Sequence, residues 1–172
     1  MDCENQIHRY YQKERHHAYV YGTVLGLVLV LIGVILLTFL NDEGFPQGVA
    51  IVLTFGGSVT GIGGFLVGVR AGRELPKRLK FYRENKQKFI QSEFVKVDGI
   101  HKRWIIVRLF WSILFVTGLL LFLITIHPIW EGVGVGLIAL GLIGTFIESQ
   151  SMKHNEAYYY QVVQMKKKSS LI

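Results

Sequence analysis

The chain has one cysteine, Cys3, and three prolines among 172 residues, and long stretches carry no charge at all. A single thiol permits no intrachain disulfide and cannot supply the several thiolates of a structural zinc site. It matches no N-terminal lipidation signal either. There is no Walker loop, dinucleotide fingerprint, HExxH motif or nucleophile elbow. No catalytic set, cofactor site or metal site can be named from what is left.

The uncharged stretches themselves are informative. Apolar residues gather into four spans, roughly 19–40, 48–69, 104–126 and 132–147, the last being short and rich in glycine. Each approaches the roughly 20 residues needed to cross about 30 Å of hydrocarbon. A soluble helix bundle would show a polar face on each helix, and these spans hold no charge away from their ends. The first span exceeds the apolar core of a signal peptide and lacks a small-residue cleavage site, so it is expected to stay in the protein. The expected fold is an all-α integral membrane protein with four transmembrane helices arranged as two hairpins and amphipathic cytoplasmic helical extensions.

Lys and Arg are absent from two short loops, Asn41 to Pro46 and His127 to Glu131, which hold Asp42, Glu43 and Glu131. All nineteen Lys and Arg lie on the other side of the span pattern. Three precede the first span, twelve run from Arg70 to Arg108, and four follow the fourth span. The positive-inside rule then puts both termini and the central segment in the cytoplasm, with the plasma membrane as the expected location. Topology accounts for most of the positive charge, and no recognition motif accompanies it, so nucleic acid is not an expected partner.

The chain divides into an N-terminal segment 1–18, a first hairpin 19–72, a connector 73–103, a second hairpin 104–148 and a tail 149–172. Two hairpins of equal orientation suit packing about an axis near the membrane normal. In the connector, Leu75, Leu79, Tyr82, Phe89, Ile90, Phe94 and Val97 recur at helical spacings among basic residues. That pattern predicts an amphipathic helix, with Pro76 near its start or at a bend and Gly99 marking a break before the third span. Its apolar stripe can pack on a neighbour, or the helix can lie on lipid with Lys77, Arg78, Lys80 and Arg83 as headgroup contacts. Tyr158, Tyr159 and Tyr160 in the tail suit an interface or a contact with the connector.

Inside the spans, glycine specifies packing. Gly56, Thr60, Gly64, Gly68 and Gly72 form a small-residue ladder at intervals of four, and Gly132 and Gly136 repeat the spacing in the fourth span. Residues four apart share a helix face. Small faces let backbones approach, which matters where hydrophobicity supplies little force between helices already in lipid. The pattern resembles glycine-zipper packing, suited to a neighbour in the same chain, an oligomer seam or a pore-lining face. Gly22 and Gly26 form a weaker ladder in the first span.

Polar candidates are few. Thr54, Ser58, Thr60, Ser112, Thr117 and Thr145 are expected to bond to the local backbone or across helices. His8, His16 and His17 lie near Glu4 and Glu14 without completing a metal-ligand set. His101 borders the third span, and His154 with Glu156 has no catalytic spacing. Trp130 is expected at a membrane interface; Asp42 and Glu43 could draw a cation weakly, while Gly44 and Pro46 suit a tight turn. The expected function is a noncatalytic membrane interaction or assembly protein, a homo-oligomer or bound to a membrane-protein partner, with membrane lipids around it. A subunit of an oligomeric channel or transporter is the alternative.

Overall fold

The computed structural model describes residues 3–40 and 44–169. Asn41, Asp42 and Glu43, and with them any cation attraction by that loop, lie outside the described residues. Among the described residues there is no strand. The elements are α1 (Cys3–His17), a π-helical segment (Ala18–Val24), α2 (Leu25–Phe39), α3 (Gly44–Glu84), α4 (Lys86–Ile124) and α5 (Pro128–Ser169). Gly44 and Pro46 open α3, where proline's missing N–H is no loss. With 41, 39 and 42 residues, α3, α4 and α5 are each about 60 Å long.

Four helices, counting α1 through α2 as one continuous rod, are long and apolar enough to cross a membrane. In this apolar half the bulky side chains point outward. Leu27, Leu31, Ile35, Phe55, Ile62 and Leu123 each expose more than half of their surface. Soluble monomers rarely expose so broad an apolar surface. The interior instead takes the glycines.

Helix α3 packs against α2 on one side and α5 on another, and α5 also packs along α4. At each seam a glycine meets backbone or a β-carbon. Gly64 meets Gly22, Gly57 meets Gly26, and Gly33 meets Ala50 and Thr54, closing α3 onto the first rod. Helix α5 carries glycines on two faces: Gly132 and Gly136 meet Phe45 and Val52 of α3, while Gly134, Gly141 and Gly144 meet Gly118, Phe115 and Trp111 of α4. Leu29, Leu53 and Leu140 form the buried apolar cluster between these seams.

The polar half is a bundle formed by α1, the ends of α3 and α5, and the start of α4. Ile7, Tyr10, Tyr11, Tyr82, Phe89, Val97, Tyr158 and Val162 make its core. Two expectations change here. The helix runs through Gly99 without interruption, and the chain reverses instead at Asn85. Asn85 is extended, and its side chain accepts a hydrogen bond from the Lys88 amide at 3.0 Å, capping α4. The connector is therefore two arms of a helical hairpin, whose shared apolar positions face each other and the tail. Pro76 lies inside α3.

Candidate functional site

The bundle core contains a carboxylate. Glu93 is fully buried on α4, a costly position unless every acceptor is matched. Tyr11 and Tyr158 donate their hydroxyls to its Oε1 at 3.0 and 3.2 Å. Arg78 Nη1 stands 3.3 Å from Oε2, close enough for an ion pair though misaligned for a hydrogen bond, and donates to Ser92 Oγ at 3.4 Å. The Tyr10 ring stacks on Tyr158 at 3.8 Å, and its hydroxyl donates to Asn155. Burial, with the Glu93 charge nearby, raises the Tyr11 and Tyr158 hydroxyls above their ordinary range. They remain donors at any physiological pH.

A second network lies where the bundle meets the apolar half. Glu74 accepts from Lys96 at 2.9 Å and from Arg70 at 2.8 Å. Burial pulls its carboxyl upward, but these hydrogen bonds and charges prevail and hold it at about 2. Lys96 also donates to the Tyr11 hydroxyl at 2.8 Å, joining the two networks. Glu14 is left over: its Oε2 is buried and has no hydrogen-bond partner. Burial, against a smaller opposing effect of Lys96, pushes the Glu14 carboxyl up.

Glu14 sits between two adjoining cavities. One, of about 410 Å³, is walled by Val59, Gly63 and Val67 of α3 and Phe110 and Trp111 of α4, and roofed by Glu14, His17 and His154. The other, of about 400 Å³, is lined by Arg70 and Glu74 of α3, Lys96 and Arg103 of α4, and again Glu14 and Val67. They exist because α3 and α4 meet beside their turn, where Tyr82 and Phe89 pack at 5.3 Å, and then separate. Gly63 and Gly99, which face no atom within 4 Å, line one cavity each. The π segment adds Ala18, Tyr21 and Gly22 to the apolar cavity; such widened turns recur at functional sites.

His17 and His154 stack at 5.7 Å on the roof. Burial lowers both, each reinforced by neighbouring positive charge, and a hydrogen bond to the Tyr10 carbonyl only partly offsets this at His154. The His17 Nδ1 is buried without a partner. Among the described residues, no group of three His, Cys, Asp or Glu is placed to hold a metal.

The residues of the ladder named from spacing have neighbours in the same chain. Gly56 meets Leu140, Gly64 meets Gly22, Gly68 meets the Tyr19 ring and Gly72 lies over Arg15. Thr60 donates to the Gly56 carbonyl at 2.8 Å, as Ser58 and Thr145 do to the carbonyls of Thr54 and Gly141. The four basic residues named for headgroups stand on the bundle: Arg78 pairs with Glu93, Arg83 with Glu4 and Lys80 with Glu84, while Lys77 is exposed. Sequence reasoning missed Glu93 and Arg103 as site residues, and named Glu14 only as a neighbour of the N-terminal histidines. An acidic residue at a core position of an amphipathic pattern was the available signal for Glu93. No family model, curated protein or solved structure matches the chain.

Proposed function

We propose that this is a noncatalytic interaction or assembly protein of the plasma membrane, with both termini in the cytoplasm, working as an oligomer or within a larger membrane complex. The observation that carries the reading is the mounting of the bundle. Helices α3, α4 and α5 run unbroken from the apolar half into it, so the bundle is held rigidly on the four apolar segments. Its buried Glu93 is held by Tyr11, Tyr158 and Arg78 from three other helical segments, as befits a surface of defined shape. The α3–α4 turn forms its tip, where Lys86 and Lys88 are exposed. That basic tip suits an acidic face on a protein partner. A channel formed by one copy has less support, because Leu29, Leu53 and Leu140 fill the interior of the apolar half.

Crosslinking in native membranes, followed by mass measurement, tests this. A homo-oligomer or discrete complex is expected, and its yield should fall when Lys86 and Lys88 become Glu. A solitary monomer in native membranes counts against the reading.

A further inference from the structure

Two opposite charges in the α3–α4 cleft lack partners. Glu74 is matched by Arg70 and Lys96, but Glu14 has a buried oxygen with nothing on it. On the same cavity wall, Arg103 is exposed and makes no ion pair among the described residues. The neighbouring cavity, reached past Glu14 and Val67, is walled by Val59, Gly63, Phe110 and Trp111. The cleft thus offers one free acceptor, one free guanidinium, and an apolar trough below them.

We propose that this cleft binds an aminophospholipid: its primary ammonium donates to Glu14, its phosphate accepts from Arg103, and an acyl chain lies in the trough beside Gly63. The inference rests on the membrane reading, which brings the junction of the apolar and polar halves to headgroup level. Each neighbouring lipid class fails one requirement. A phosphatidylglycerol has no cation for Glu14, and its phosphate would face that carboxylate. A phosphatidylcholine has a cation, but a trimethylated nitrogen has no N–H to donate. A guanidinium recognises phosphate strongly through charge-assisted hydrogen bonds. A Cβ added at Gly63 would meet no atom within 4 Å, so the trough is open at that point of its wall. Burial raises the Glu14 carboxyl, and a bound ammonium would oppose that tendency.

The test uses the full chain in detergent, with native mass spectrometry after exchange against micelles of phosphatidylethanolamine, phosphatidylcholine or phosphatidylglycerol of equal chain length. Wild-type protein should retain one phosphatidylethanolamine at least about tenfold better than either other lipid. Glu14→Gln, nearly isosteric, should abolish that preference while leaving phosphatidylglycerol retention unchanged or raised. Arg103→Gln should weaken retention of all three lipids. Gly63→Leu places a side chain in the trough at a position where an added Cβ meets no atom within 4 Å, and should block retention while circular dichroism shows the helices intact. Equal retention of the three lipids by wild type, or undiminished phosphatidylethanolamine in Gly63→Leu, overturns the proposal and leaves the membrane reading standing. Failure of the chain to insert into vesicles overturns both.

Discussion

Gly64 of α3 and Gly22 of the π segment stand so close that a methyl group on Gly64 would lie 2.5 Å from the Gly22 α-carbon. No side-chain rotation relieves that contact, because both partners are backbone. One residue earlier, Gly63 faces open space. Gly64→Leu should therefore force the first rod from α3 and cost at least about 1–3 kcal/mol, whereas Gly63→Leu should be close to neutral. Denaturant titration in mixed micelles separates the two; equal effects would show that the seam is not where stability resides.

The buried Glu93 makes a different kind of demand. Arg78→Leu leaves an unmatched carboxylate in the core, a change that commonly costs about 3–5 kcal/mol. Replacing Glu93 by Gln as well removes the stranded charge while retaining an acceptor for Tyr11 and Tyr158. The double variant should recover much of the loss. If Arg78→Leu alone melts with the wild type, the ion pair contributes nothing to holding the bundle together.

The turn of the cleft hairpin depends on one side chain. Asn85 accepts from the Lys88 amide, so Asn85→Ala should lower stability by about 1 kcal/mol and Asn85→Gly by only a few tenths. Unfolding midpoints of the two variants check this ordering.

Acid acts on the cleft in two directions. Burial raises the folded-state Glu14 carboxyl above its ordinary 4.5, so the folded state holds the proton more tightly. Its cost is present above the folded value and is relieved as pH falls towards 4.5. His17 and His154 are lowered below 6.5, so their contribution is present above 6.5 and is lost as pH falls through the folded values. In lipid-free detergent, Glu14→Gln should be more stable than wild type at pH 7 and equal to it at pH 4. His154→Gln should reduce the acid loss below pH 6.5. Parallel pH profiles for all three proteins would contradict both assignments.

Orientation can be read by labelling. In a Cys3→Ser background, the proposed orientation requires a cysteine at Lys77 to react with an impermeant maleimide only after the cells are permeabilised. A cysteine at Trp130 should react in intact cells. The reverse pattern would invert the topology.

The four long apolar helices were legible in the residues, because a segment able to cross hydrocarbon must be continuously apolar and about as long as the hydrocarbon is thick. The run lengths, the one-sided Lys and Arg and the helical spacing of Leu75, Leu79, Phe89 and Val97 all follow from local chemistry. The intervals of the glycine ladder likewise showed which faces could pack. They could not show against what, since the same small face serves a neighbouring helix or a second copy; Gly22 opposite Gly64 is a tertiary fact. Position along the chain also misdirected one expectation. Gly99 has the composition of a break, yet helical hydrogen bonds and packing on either side carry α4 through it, and Asn85 turns the chain because its side chain can cap. The sequence by itself determined four apolar helices with a basic, amphipathic complement at one end. Only the tertiary structure decided that those ends form a bundle around Glu93, and that α3 and α4 part to leave Glu14 and Arg103 unmatched over an apolar trough. The reason is physical: pairing of charges depends on side chains distant in sequence, which no local pattern records.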